Sequence, residues 1–378
     1  MRLAVLVVLT CGCRQIFGLD APTPLRADGD PSDARTDATD APVDATGQCF
    51  SRPELTLAGC LAGAPTSDLV VSQSTSIDTD STAACAPLAT RTQDVCVIAA
   101  TSIAVSSSAV VRVTGSRPLV LFSQSTITID GTLDVASHLG TFGMPSVGPG
   151  ANPNPTICGA AQAGIFGGGG AGGSFGTVGG DGGRGVPLNS VPGAAGPAIS
   201  ATTFHGGCTG GLGAGADMNV AAAASGGGAV AMFGDTITVS GTVNASAMAG
   251  HGGAIGSNGG YGGASGGMIV ISTPAISLTN QGQLFAIGGA GGGGSANSAA
   301  GGNGGEATSY NNVVAGGQGG NNGGPGGNAF PQPDGGHAGG GANGAGGGGG
   351  GGAGAIVIFT NTTFTTPRIF PTAQVSPF

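Results

Sequence analysis

Lysine and tryptophan are absent from this sequence, and their absence excludes several chemistries. All ten basic residues among the 378 are arginine. A nucleotide-binding P-loop and a Schiff-base site both need a lysine, so neither is present. With two tyrosines and no tryptophan, little aromatic surface is available for stacking on a sugar ring. The formal net charge of −9 argues against a nucleic-acid partner.

The sequence contains a hydrophobic motif that recurs between long glycine tracts. Its four copies occupy residues 118–137, 228–246, 267–289 and 354–370. Each copy has an apolar run, a bend and two alternating stretches separated by a turn. Alternation at period two predicts strands with one buried face. Repetition predicts a solenoid, in which each unit buries that face against the next.

The spacing of the motif indicates the kind of solenoid. Ile103 precedes Ile127 by 24 residues (127 − 103), and Ile77 precedes Ile103 by 26 (103 − 77). The next equivalent positions are Ile237, Ile276 and Phe364, at larger spacings that we attribute to inserts between the coils. Short strands at this spacing, without helical periodicity, are typical of a parallel β-helix. An irregular β-sandwich is the alternative. We therefore predict an all-β, right-handed parallel β-helix, with β-coils in residues 48–137 that continue through 138–378, where glycine-rich inserts leave on one side.

The glycine inserts have two interpretations. They occupy roughly residues 140–227, 250–266 and 288–354, and they hold most of the 82 glycines. No strict every-third-residue glycine pattern is present, which excludes collagen. The first interpretation is a flexible linker, because glycine loses the most conformational entropy on ordering. The second is a set of extended strands that pack side by side through their backbones; only seven charged residues follow Ala136, fewer than a solvated disordered segment usually carries.

The first 13 residues predict export and lipid attachment. One arginine and a short apolar stretch, residues 3–9, precede Gly12 and Cys13. This pattern resembles a bacterial lipoprotein signal, in which Cys13 would take the lipid. The alternatives are a cleaved secretory signal and an unprocessed N-terminus. Asp directly after the lipidated cysteine retains such proteins in the inner membrane, whereas Arg14 here points to the outer membrane or cell surface.

Residues 14–47 predict a disordered tether. Aspartate, alanine, proline and threonine dominate this stretch, and large apolar residues are almost missing from it. A chain of this composition cannot bury a core, and its like charges repel one another. We expect an extended spacer between the lipid anchor and the folded region.

Six cysteines outside the signal predict three disulfides. Fifteen pairings are formally possible, and we favour nearest neighbours, because each bond would then close a loop between repeats. The predicted pairs are Cys49–Cys60, Cys85–Cys96 and Cys158–Cys208. No CxxC spacing occurs, so we predict neither a zinc site nor a redox site.

Candidate site residues are few, and no cofactor, metal or catalytic set is predicted. Asp78 and Asp80 could bind a cation or a glycan if they share one strand face; an Asx turn is the alternative. A shallow carbohydrate groove is conceivable on successive coils, from Asp78, Asp130, Asp134, Arg112 and Arg117. The four histidines lie in or beside glycine tracts without metal-ligand spacing, and we interpret them as loop residues: His138, His205, His251 and His337.

The order of these features resembles a group of uncharacterised glycine-rich lipoproteins predicted in Gram-negative bacteria. The resemblance is carried by residues 13–19, 76–81, 118–138 and 167–183. It implies surface exposure and a right-handed β-helix, and it implies no particular activity.

The sequence thus predicts a non-catalytic, surface-anchored structural or adhesive protein of the cell envelope. Its expected partner is the membrane, through the lipid anchor, and surface polysaccharide and self-association are further partners to test. The alternative is a carbohydrate-binding or carbohydrate-cleaving β-helix. A third class is ice binding through the Thr126/Thr128 and Thr236/Thr238 pairs, although this threonine ladder fails at Ala275 and Ser277.

Overall fold

A computed structural model describes residues 48–140, 145–154, 156–186, 189–215, 223–340, 343–364 and 368–378. The predicted signal (1–13) with Cys13, and the predicted tether (14–47), lie outside the described residues. Within these ranges the chain is almost entirely β, and its one helical element is the 3-10 turn Pro53–Leu55. The described part of the chain has no apolar helix of membrane-spanning length.

Twenty strands form one antiparallel and three parallel sheets. The antiparallel sheet contains β1 (Cys49–Arg52), β2 (Leu57–Leu61) and β5 (Leu88–Arg91). Sheet I contains β6 (Cys96–Ala100), β9 (Leu119–Ser123), β12 (Ala229–Phe233), β15 (Met268–Ser272), β18 (Ala355–Phe359) and β20 (Gln374–Ser376). Sheet II contains β3 (Leu69–Val71), β7 (Ile103–Val105), β10 (Thr126–Ile129), β13 (Thr236–Val239) and β16 (Ala275–Leu278). Sheet III contains β4 (Thr75–Asp78), β8 (Val110–Thr114), β11 (Thr132–Asp134), β14 (Thr242–Asn244), β17 (Gln283–Phe285) and β19 (Ile369–Phe370).

The chain visits sheets I, II and III in the same order in four consecutive repeat units, from β6 to β17. In sheet II, Ile127 lies opposite both Ile103 and Ile237, and Ile237 lies opposite Ile276. The predicted equivalence of these four isoleucines is therefore confirmed.

Two other predicted equivalences are wrong. Ile77 belongs to sheet III and lies opposite Val113, while Leu69 occupies the place opposite Ile103. Strands β3 and β4 are separated by only three residues and both carry apolar residues, so the pattern alone did not assign them to different sheets. Phe364, the expected equivalent of Ile276, lies in no strand, although it packs against the core.

The sequence pattern of each sheet follows from how many of its faces are buried. The inner faces of the three parallel sheets meet in one apolar cluster that includes Ile127, Leu133 and Val230. Sheet I also buries its other face, against Phe50 of β1 and Phe175 of a glycine tract. Strands buried on both faces read as continuous apolar runs, such as LVLFS in β9. Strands of sheet II alternate instead, as in TITI of β10.

In their described residues the glycine tracts are ordered, and all three leave the repeat at the same place. Each tract connects a strand of sheet III to the next strand of sheet I: β11 to β12, β14 to β15, and β17 to β18. The expectation that inserts leave on one side is confirmed. Of the two interpretations of the tracts, packed extended strands are the correct one.

Backbone hydrogen bonds at every third residue hold the tracts together as a glycine bundle. The N–H groups of Gly346, Gly349 and Gly352 donate to the carbonyl oxygens of residues 167, 170 and 173. The carbonyl oxygens of Gly346, Gly349 and Gly352 in turn accept from the N–H groups of residues 260, 263 and 266. A period of three is that of the polyproline II helix, which has no internal hydrogen bonds and must bond to its neighbours. Segment 345–354 is bonded in this way to six others: 167–173, 180–183, 260–266, 286–295, 324–327 and 334–337.

Such close packing leaves no room for side chains between the segments. A Cβ atom added to Gly349 would lie 2.0 Å from the carbonyl oxygen of Gly180, and one added to Gly263 would lie 1.8 Å from that of Gly289. The glycine content is therefore required by the approach of the backbones.

The three disulfides join the predicted nearest-neighbour pairs, so that prediction is confirmed. The Cys49–Cys60 bond links directly opposed residues of β1 and β2. The Cys85–Cys96 bond ties the loop before β5 to the start of β6. The Cys158–Cys208 bond spans 50 residues and lies within the first glycine tract.

Candidate functional site

Four titratable side chains meet on the outer face of sheet III. Arg112 of β8 and Asp134 of β11 are directly opposed across the parallel ladder. Their strand neighbours Val111 and Leu133 point into the core, so alternation turns the two charged residues outward. His138 follows four residues after Asp134, and Glu306 comes from the third glycine tract. We refer to Arg112, Asp134, His138 and Glu306 as the sheet III cluster.

Asp134 is the centre of this cluster. Its Oδ2 atom lies 3.1 Å from Arg112 Nη2 and 3.0 Å from His138 Nε2. Its Oδ1 atom accepts a hydrogen bond of 3.1 Å from Asn244 Nδ2 of β14. The other ring nitrogen of His138, Nδ1, lies 3.2 Å from Glu306 Oε2. Glu306 also accepts a hydrogen bond from the backbone N–H of Leu139.

The two carboxylates shift the ionisation of His138. Hydrogen bonds to Asp134 and then Glu306 raise the pKa of His138 to about 9, against the opposing effect of burial. Burial alone would raise the pKa of Asp134, but the hydrogen bond from His138 and the charges of His138 and Arg112 lower it below its usual value. At neutral pH His138 is therefore protonated and Asp134 is ionised, although Asp134 is only 5% exposed.

This arrangement is suited to joining parts of the fold. Both ring nitrogens of His138 engage carboxylates, so in this geometry neither is free to accept a proton from a hydroxyl group or water. Arg112, Asp134 and Asn244 connect three adjacent strands, and His138 and Glu306 connect those strands to the third glycine tract. Among the described residues, no group of three or more His, Cys, Asp and Glu side chains is placed to hold a metal ion.

The cluster predicts a pH-dependent loss of stability on the alkaline side. The pKa of His138 rises from 6.5 to about 9 on folding, so protonated His138 stabilises the folded state, and this contribution is fully present below pH 6.5. That contribution, at most about 3 kcal/mol, is lost as the pH rises through 9. We expect His138→Gln to lower the free energy of unfolding at pH 6 and to leave it nearly unchanged at pH 10. Urea unfolding at both pH values measures the difference; an equal loss at pH 6 and pH 10 would contradict the ion-pair role.

Asp78 and Asp80 form turn structure and do not share a strand face. Strand β4 ends at Asp78, whose Oδ1 accepts a hydrogen bond of 2.9 Å from the backbone N–H of Asp80, as in an Asx turn. Asp80 in turn accepts bonds from the N–H and hydroxyl of Ser116, and the hydroxyl bond chiefly lowers the pKa of Asp80. A cation or glycan role for this pair stays a prediction.

The other groove candidates are dispersed. Arg117 donates to the carbonyl of Thr79 and to Cys85 Sγ, and Asp130 accepts a hydrogen bond from Ser240. Of the five residues considered for a carbohydrate groove, the structure joins only Arg112 and Asp134 as an ion pair.

Two of the remaining histidines pack against aromatic rings. His205 stacks on Phe175 at 4.7 Å between ring centroids, and His251 meets Tyr261 edge-on at 6.0 Å. Burial lowers the pKa of both histidines. His138, by contrast, has the defined set of carboxylate partners described above, which the interpretation as a loop residue missed.

A cleft of about 490 Å³ lies between the start of β18, residues 198–202 and residues 371–374. Its lining contains hydroxyl and amide side chains and no charged ones: Thr177, Ser200, Thr202, Thr372 and Gln374, beside apolar Ile199 and Pro371. The outer face of sheet II carries the threonine pairs in register, Thr126 opposite Thr236 and Thr128 opposite Thr238, followed by Ala275 and Ser277.

Comparison with protein-family models, with curated proteins and with solved structures found no significant match to this chain. The functional conclusion therefore depends on the chain's own residues.

Proposed function

We propose that this chain is a surface-anchored, non-catalytic structural or adhesive protein of the cell envelope. The observation that carries the proposal is the ordered glycine bundle, in which segments from three tracts are bonded to one another through their backbones. A bundle of this kind is a stiff scaffold that offers few side chains for chemistry. The sheet III cluster, whose ionisable groups neutralise one another, supports the same conclusion.

Export and anchoring complete the proposal. Three disulfides persist in an oxidising compartment, which supports a location outside the cytoplasm. Cys13 would carry the lipid, and residues 14–47 would hold the folded region away from the membrane. Arg14 after the lipidated cysteine favours the outer membrane or cell surface.

The finer architecture that we propose is a right-handed parallel β-helix. It is supported by the constant order of sheets I, II and III over four repeat units. Connections between parallel strands of one sheet are right-handed in about 98% of cases. An experimental structure in which the repeat units turn in the opposite sense would contradict this architecture.

Protease shaving of intact cells tests the proposed location, with a Cys13→Ser strain as the matched control. We expect external protease to remove the wild-type protein, and the Cys13→Ser protein to appear in the medium. Protection from protease in both strains would contradict export and anchoring together.

A glycan array probed with the purified Cys13→Ser protein separates the structural role from the alternative. The neutral, hydroxyl-lined cleft beside β18 is the feature that favours a carbohydrate ligand. Saturable binding to one glycan, lost when Thr372 and Gln374 are replaced by alanine, would establish the carbohydrate-binding alternative instead.

A further inference from the structure

The end of the glycine bundle away from sheet I carries an exposed apolar patch. Segment 345–354 runs directly into β18, so residues 343–344 lie at the far end of that segment. At this end, turns and ends of the glycine segments carry five of the ten exposed large hydrophobic residues among the described residues. We call them the tip patch: Ile165, Phe166, Val186, Val191 and Ile255.

Backbone contacts bring these turns together. Ile165 and Val191 exchange two backbone hydrogen bonds of 2.8 and 3.0 Å, which places them side by side. Val186 donates its N–H to the carbonyl of Gly344. The segments are also close at Gly167, the residue after Phe166. A Cβ at Gly185 would lie 2.3 Å from Gly167 O, and a Cβ at Gly167 would lie 3.4 Å from Ser257 O, two residues from Ile255.

Phe166 is held in a conformation that its residue type disfavours. Its φ of 51° lies in the left-handed region, where a bulky residue is a conformational outlier, and the residue is 63% exposed. Glycine or asparagine would adopt this turn at lower cost. A strained, exposed aromatic residue in a sequence with so much glycine points to a function for the ring outside the fold.

The surroundings of the patch are polar and carry little charge. The Ser257 hydroxyl oxygen lies 2.8 Å from Asn297 Oδ1 and 2.7 Å from the carbonyl oxygen of Asn343, so its one O–H can donate to either. By sequence, Arg184 is the one charged residue within two positions of any patch residue. An apolar centre with a polar rim is the composition of a protein interface.

We propose that the tip patch binds the same patch of a second copy of this chain. A two-fold interface places one patch against the same patch of the partner, so a patch that carried charges of one sign would repel itself. Amide and hydroxyl groups both donate and accept, and they can pair with their own kind. With a net charge of −9, the molecule repels another copy over much of its surface, and this end, where no acidic residue lies within two positions of a patch residue, avoids that repulsion.

The same observations disfavour two other occupants. An anionic membrane would require a basic cluster, and the neighbourhood of the patch contains one arginine. A sugar platform would require several aromatic rings, and the patch has one. Because the proposal names a surface for adhesion, it rests on the proposed adhesive function and makes that adhesion homophilic.

Sedimentation equilibrium of the full chain with Cys13→Ser tests the proposal, since this protein cannot take the lipid. We expect a concentration-dependent dimer, and we expect Phe166→Asn to weaken dimerisation at least about tenfold, or 1.4 kcal/mol. The same substitution should keep or raise the melting temperature, because asparagine tolerates the left-handed turn. Misfolding therefore cannot explain the loss.

Val313→Asn is the matched control, because Val313 is 66% exposed and belongs to another turn. It should dimerise like the parent. A parent that is monomeric up to its solubility limit, or a Phe166→Asn protein that dimerises normally, would overturn the proposal. If the protein did not dimerise but bound phosphatidylcholine vesicles or a neutral glycan in a Phe166-dependent way, the patch would be a membrane-binding or glycan-binding site and not a dimer interface. The protease-shaving experiment does not depend on dimerisation. A failure of the dimer proposal can therefore be distinguished from a failure of the proposed surface location.

Discussion

Replacement of Gly349 by alanine should unfold the glycine bundle. Gly349 is buried in the segment that is bonded to six neighbours, and the added methyl group would lie 2.0 Å from the carbonyl oxygen of Gly180 and 2.7 Å from that of Asp181. Both contacts are with backbone atoms, so no side-chain rotation can relieve them. We expect a loss of more than about 3 kcal/mol in the free energy of unfolding. Thermal unfolding followed by circular dichroism measures the effect.

Gly340→Ala is the matched control in the same tract. Gly340 is exposed, its φ lies outside the left-handed region, and an added Cβ would meet no atom within 4 Å. Alanine there should change stability by no more than about 1 kcal/mol, in the stabilising direction, because it restricts the unfolded chain. Similar melting temperatures for Gly349→Ala and Gly340→Ala would mean that the tract is not packed as described.

Removal of the Cys158–Cys208 bond should have the second largest effect. This bond spans 50 residues, against 11 for each of the other two disulfides. Loop-closure entropy predicts a loss of about 4 kcal/mol for the long loop and about 3 kcal/mol for a short one. The long loop is also rich in glycine, the residue that gains the most conformational entropy when the chain unfolds.

Paired alanine substitutions test this ranking. Alanine is preferable to serine because Cys208 is almost fully buried, and a hydroxyl group there would add its own cost. We expect the melting temperature to fall further for Cys158→Ala with Cys208→Ala than for Cys49→Ala with Cys60→Ala. The reverse order would indicate that the first glycine tract is ordered without help from its disulfide.

The parts of the fold that could be predicted are those encoded in neighbouring residues. Alternation and spacing were enough to place Ile103, Ile127, Ile237 and Ile276 in one ladder, because each lies in a strand with one buried face. The same reasoning failed for Ile77. Strands β3 and β4 are both short and apolar, so the sequence pattern does not show which of them continues sheet II. Only the pairing of β3 with β7 and of β4 with β8 shows it.

The order of the glycine tracts could not be predicted, because it depends on partners far apart in the sequence. Gly349 bonds to Gly170 and Gly263, and no local feature of a polyglycine stretch specifies those partners. The sheet III cluster has the same origin, since Glu306 lies 168 residues from His138. One signal was available: Glu306 is one of only seven charged residues after Ala136, so it would need a partner wherever the fold shields it from water.

The threefold bonding pattern of the bundle also limits how the tracts can change in length. A segment with three residues per turn presents the same bonding direction at every third residue, so each inserted or deleted residue turns all later positions by about 120°. Gly346, Gly349 and Gly352 would then face different neighbours. Within a segment, only changes of three residues keep the phase. Insertions or deletions of other sizes can be accommodated in the turns, because the threefold bonding pattern does not continue through them. We therefore expect related sequences to differ in length at the turns.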